Sequence, residues 1–245
     1  MASSIGRALG LWLAGLACAL PAWAGGIAIG PLSLEIGPRA RIAVLGVTNR
    51  GTAPIDLQAE ALAWSQAGAT DALEPTDEIV VSPAIATVPP GKEQLFRVAV
   101  RRPLPPGAEQ AFRVVVSDVS DPEAADAASG SGGAPAVQFR LAHSIPLYVQ
   151  TLRSGQPELG VEPCPAAGNA VCVRVRNEGT RRAVVRRVTL QGGGWAHELA
   201  TGTVVLAGGA RTFTVPAGAA RGARLAVHVD AGDASVSGVI DAGSP

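Results

Sequence analysis

Glycine and proline cut this chain at short intervals: 30 glycines and 19 prolines stand in 245 residues. No long segment keeps apolar residues at i, i+3, i+4 and i+7 without one of them intervening, so amphipathic helices are excluded and short alternating strands remain. Candidate strands crowd together at Ala28–Ile36, Arg41–Asn49, Ile55–Trp64, Ile79–Ser82, Ala84–Val88, Gln94–Arg101 and Phe112–Val119, and a second set follows from about Pro157. The turns between them carry the residues turns require, as at Asn49-Arg50-Gly51 and Pro89-Pro90-Gly91. This density of strands predicts an all-β chain built from sandwiches.

The first 24 residues read as a cleavable signal peptide, with Arg7, an apolar run from Ala8 to Leu20 and the small-residue exit Ala22-Trp23-Ala24. Cys18 precedes that exit by too much to suit a lipoprotein site. No later stretch is long and apolar enough to span a bilayer as a helix, so no stable membrane insertion is expected. Formal net charge is zero, and loss of Arg7 with the leader makes it about minus one; nothing in it favours nucleic acid. Two cysteines then remain, Cys164 and Cys172, separated by the turn-rich Pro165–Ala170. Export allows them to pair as a disulfide across a hairpin, and without a neighbouring histidine they make a poor zinc site. No metal or other cofactor is expected.

Residues 121–136 hold no large apolar side chain and are expected to form a mobile loop. The segment after it, Val137–Gln150, is unusually long for a strand. Val137, Phe139, Leu141, Ile145, Leu147 and Val149 share one register, in which His143 is the only polar residue. Pro146 interrupts its ladder donors, which suits an edge or a place where pairing partners change. The expected division is residues 25–150 for one domain and 151–245 for another.

Thr48–Trp64 (TNRGTAPIDLQAEALAW), Leu73–Arg102, Leu104–Val116 (LPPGAEQAFRVVV) and Arg140–Val149 (RLAHSIPLYV), in that order and spacing, resemble the periplasmic pilus and fimbrial chaperones, and more closely the archaic branch serving spore-coat-like pilins. The resemblance implies two immunoglobulin-like β-sandwich domains arranged as a boomerang with an interdomain cleft. It also implies donor-strand complementation of pilus or fimbrial subunits, followed by delivery to an outer-membrane usher from the periplasm. Val137, Phe139 and Leu141 then have the spacing to fill successive pockets of a subunit groove. Whether the free protein caps its donor strand as a homodimer is left open.

A subunit's C-terminal carboxylate would need a cation in the cleft. Many members place an arginine on the first strand and a lysine on the long one; here Ser33 and Pro146 stand at those positions. Arg113 takes a place that is commonly arginine in the archaic branch, and is the expected anchor, against the alternative of an outward-facing strand arginine. His143 either assists it when protonated or is merely exposed or hydrogen-bonded. Glu109 matches an acid found beside the cleft, with Arg97 as its expected partner. The cluster Arg181, Arg182, Arg186 and Arg187 reads as a solvated strand edge. No nucleophile elbow, phosphate loop or His-Glu-x-x-His motif is present, which argues against an enzyme. The competing reading is a secreted immunoglobulin-like adhesin or structural pilus subunit.

Overall fold

The computed structural model describes residues 26–66, 69–121, 140–220 and 222–242. The expected leader, most of the loop expected at 121–136, and Val137 and Phe139 lie outside them. Among the described residues there are seventeen strands in four sheets.

The first ten strands are β1 (Ile27–Gly30), β2 (Leu34–Ile36), β3 (Ile42–Asn49), β4 (Ile55–Ser65), β5 (Ala72–Pro75), β6 (Ile79–Ser82), β7 (Ile85–Val88), β8 (Glu93–Val100), β9 (Gln110–Asp118) and β10 (Ala142–Val149). They form two sheets, one ordered β1-β3-β8-β6 and the other β2-β10-β9-β4, with β5 and β7 both pairing along the far side of β4. One core lies between them, including Leu45, Val47, Phe96 and Val98 from the first sheet and Leu57, Phe112, Val114, Ile145 and Leu147 from the second. These residues alternate along their strands, which is why each strand presents one face to the core and one outward.

The remaining strands are β11 (Leu159–Cys164), β12 (Ala170–Asn177), β13 (Ala183–Gly192), β14 (Trp195–Val205), β15 (Ala210–Pro216), β16 (Arg224–Asp230) and β17 (Val236–Asp241). They make a sheet β11-β12-β15 and a sheet β14-β13-β16-β17 around a separate core of Val173, Val175, Val188, Leu190, Leu225 and Val227. The expected pair of sandwiches is therefore present. Cys164 and Cys172 stand directly opposite each other on β11 and β12 and are disulfide-bonded, Cα to Cα 5.1 Å.

One local expectation changes. The strand foreseen over Ala28–Ile36 is split: β1 pairs antiparallel with β3, whereas β2 crosses to the other sheet and pairs parallel with β10. Pro31, with no N–H to give either ladder, marks the crossing. The run Gln191–Trp195 makes a two-residue turn between Gly192 and Trp195. Gly193 and Gly194 both have positive φ there (59° and 76°), a backbone few other residues accept.

The same short motif closes a corner in each sandwich. Asn49-Arg50-Gly51-Thr52 and Asn177-Glu178-Gly179-Thr180 each bury the asparagine. The Asn49 amide donates to Ala53 O (2.8 Å) and Val88 O (2.9 Å) and its oxygen accepts from Gly51 N. The Asn177 amide donates to Arg181 O and Val205 O, and its oxygen accepts from Glu158 N and Gly179 N.

Candidate functional site

The outward face of the sheet β2-β10-β9-β4 turns from polar to apolar at one end. On β4 the outward register runs Gln58, Glu60, Leu62, Trp64, while Leu57 and Ala59 face the core. On β10 the corresponding residues are Ser144, Pro146 and Tyr148, and on β9 Ala111, Arg113 and Val115. Tyr148 lies opposite Ala111, whose small side chain leaves room for Trp64 and Tyr148 to approach with ring centroids 6.1 Å apart. Leu206, from the β14–β15 connection of the second sandwich, closes this cluster, and all three large side chains are buried. A cleft of about 440 Å³ opens beside it, lined by Trp64, Gln66, Glu109, Ala111, Leu206 and Gly209.

Arg182 of the second sandwich fastens one flank. Its guanidinium lies 3.7 Å over the Tyr148 ring, bonds the Glu109 carboxylate at 2.5 Å, and also pairs with Glu35 of β2. Its backbone N–H donates to Glu109 as well, and Glu109 N–H donates to Thr180 O (2.9 Å). Burial pushes the Glu109 carboxyl above its ordinary value, and the charge and hydrogen bonds of Arg182 only partly offset that. Burial likewise raises the Tyr148 phenol against the opposing charges of Arg182 and Arg113.

Asp71 and Gln66 fasten the other flank. Gln66 donates to Val204 O (3.0 Å) and accepts from Leu206 N (2.9 Å). Asp71 accepts from the Trp64 indole N–H and is ion-paired with Arg211 of β15. Burial alone would raise Asp71, but the hydrogen bonds from Arg211 and Trp64 and the charge of Arg211 outweigh it and hold the carboxyl below 3.8.

Between these flanks sits Arg113, directly opposite Pro146 in the β9–β10 register and half-buried. Its guanidinium lies 3.8 Å from the centroid of the Trp64 ring, and one nitrogen stands 3.5 Å from Ser144 O. No carboxylate among the described residues is within ion-pairing distance of it. Ser33 is exposed in the bend between β1 and β2. The cation directly across the strand pair from Pro146 is Arg113.

Other expected site residues fall elsewhere. Arg97 is exposed on β8 in the opposite sheet, paired in register with Val44 and Ser82, and does not meet Glu109. The acid's partner is Arg182, which is therefore no solvated edge residue. His143 lies opposite Val116 on the core-facing side of β10, whereas Arg113 is on the outward side, so the sheet separates the two. The His143 Nε2 is buried with no hydrogen-bond partner among the described residues. Leu141, just before β10, is 59% exposed. Sequence reasoning missed Trp64, Tyr148, Asp71, Gln66, Arg182 and Arg211 as a group. The signal was available in the outward registers of β4 and β10, which end in aromatics where solvent-facing residues would be polar.

The family model for pili and flagellar-assembly chaperones, PapD N-terminal domain, matches residues 26–150. No curated protein sequence matches the chain. Among solved structures it is similar to a chain of the CsuC–CsuE chaperone–tip adhesion subunit pre-assembly complex from archaic chaperone–usher Csu pili of Acinetobacter baumannii. That match has 19% identity, covers 88% of this chain and 98% of that one, and has a TM-score of 0.63. The E. coli chaperone DraB is 18% identical over 90% of this chain and 98% of its own, with a TM-score of 0.55. A chain of the Salmonella enterica SafA pilin–SafB chaperone complex is 15% identical over 88% and 96%, with a TM-score of 0.56. At these identities the structures establish a shared fold, and the family match over the first sandwich favours a chaperone over an adhesin or structural subunit. The chain belongs to the pilus-assembly chaperone family.

Proposed function

We propose that this chaperone acts in the periplasm, where it holds an incomplete pilus subunit by lending it the free edge of β10 and anchors the subunit's C-terminal carboxylate on Arg113. The observation that carries the reading is the half-covered edge of β10. Asp118 N–H donates to Leu141 O, so the odd residues of β10 direct their backbone groups toward β9 and the even ones away from it. Among the described residues, β2 covers that outer edge only along Leu147–Val149, reaching the Pro146 C=O on one side and the Gln150 N–H on the other. Among the described residues, no strand pairs with the outward N–H and C=O groups of Ala142 and Ser144, which are left for a strand from outside.

Leu141, and Val137 and Phe139 ahead of it, supply the alternate side chains for the subunit groove. Exposed apolar Leu141 is consistent with that use. Arg113 stands on the outward face of the same sheet, with no carboxylate among the described residues to compensate its charge, the state needed to receive a carboxylate. The leader at residues 1–24 would deliver the chain to an oxidising compartment, in keeping with the Cys164–Cys172 bridge. Transfer to an outer-membrane usher, and self-capping of the edge by a second copy in the free state, belong to the same proposal.

Co-expression with an archaic-type pilin in a Gram-negative periplasm tests it. Phe139→Asp combined with Leu141→Asp, and separately Arg113→Ala, should leave the chaperone exported and folded while recovery of co-purifying pilin falls about tenfold. Undiminished recovery would overturn the corresponding role.

A further inference from the structure

Two arginines lie over the two aromatic rings of the same cluster, and they are in opposite electrostatic states. Arg182, over Tyr148, is neutralised by Glu109 and Glu35. Among the described residues, Arg113, over Trp64, meets only the ring and the distant Ser144 carbonyl. A carboxylate beside Arg113 would fix its side chain but consume its charge. An aromatic face fixes the plane of a guanidinium and removes water from one side while leaving the N–H edge free for a planar anion.

Trp64 is itself tied on three sides. Its indole N–H donates to Asp71, its ring packs against Tyr148 and Leu206, and Asp71 is held by Arg211 from the second sandwich. Turning the indole away from Arg113 breaks a hydrogen bond to an acid that is also the interdomain ion-pair partner. We infer that Trp64 is the positioning residue of the carboxylate site, and that the site is fully formed only while Arg211 of the second sandwich holds Asp71 against it. The inference rests on the reading of Arg113 as the anchor. The ligand class is a peptide's terminal carboxylate.

The mature chain contains two tryptophans, Trp64 and Trp195, so Trp195→Phe leaves Trp64 as the sole reporter of binding. The probe is an eight-residue peptide of alternating valine and threonine with a free C-terminal carboxylate, compared with its C-terminal amide by calorimetry. The parent should prefer the acid by about tenfold, as one charge-assisted pair implies. Trp64→Leu and Arg211→Ala should each lower that preference to about threefold or less, whereas Trp64→Phe, which keeps an aromatic face, should retain most of it. The ratio is internal to each variant, so a general loosening that weakens acid and amide equally does not lower it. If either Trp64→Leu or Arg211→Ala keeps the parent's ratio while Arg113→Ala abolishes it, the inference is overturned and the anchor stands. If Arg113→Ala also keeps the ratio, or the parent shows none, the anchor reading itself falls.

Discussion

Asn177 uses both amide hydrogens and its carbonyl oxygen inside the protein, joining the chain entering β11, the β12–β13 corner and the end of β14. An alanine there leaves buried N–H and C=O groups without partners, each costing about 1–3 kcal/mol, so Asn177→Ala should destabilise the second sandwich by about 2–3 kcal/mol. Urea denaturation followed at Trp195 would show a lower midpoint with little change in slope. Gly179, two residues on, is fixed for a different reason: a Cβ there would stand 2.3 Å from Gln156 O. The sequence displayed Asn49 and Gly51 as turn residues, but turn chemistry alone does not reveal that the asparagine points inward. The same limit explains Glu109. Its proximity to a cleft followed from resemblance, whereas its partner depended on which sheet faces the second sandwich, and Arg97 belongs to the sheet that does not.

At the scale of the element, β10 separates two backbone roles by parity, and proline can read them apart. Ser144 directs its N–H to the open edge, so Ser144→Pro should leave the first sandwich folded, with Tm within about 4 °C of the parent, yet abolish pilin capture in co-purification. Ile145 directs its N–H to β9 and its side chain into the core, so Ile145→Pro should unfold the same sandwich. Equal capture by Ser144→Pro and the parent would remove the edge from the mechanism. Strand existence was legible because alternation is strong over Ile42–Asn49 and Ile55–Ser65. What was not legible was sheet membership: β2 is three residues long and changes sheets, and β5, with three of its four residues exposed, has no apolar alternation to announce it. Both depend on pairing partners distant in the chain, which local pattern does not encode.

Across the whole molecule, the two flanks of the cleft should respond oppositely to pH. Asp71 is held below its ordinary 3.8, so the folded chain binds fewer protons there than the unfolded chain. Its contribution is present above 3.8 and is lost as the pH falls through the folded value. Glu109 is held above its ordinary 4.5, so the folded chain binds more protons there. Its contribution is full below 4.5 and declines as the pH rises from 4.5 through the folded value. Thermal unfolding measured across this range should therefore show that Asp71→Asn flattens the acid limb below 3.8 while leaving the limb above 4.5 unchanged. Glu109→Gln, which keeps an oxygen for the Arg182 backbone N–H, should remove the decline above 4.5 and leave the acid limb. If both variants flattened the same limb, the two flanks would be one coupled network through the Trp64–Tyr148 cluster. Separate limbs would instead make Glu35, Glu109 and Arg182 a latch independent of the Asp71–Arg211 pair that holds Trp64 beneath Arg113.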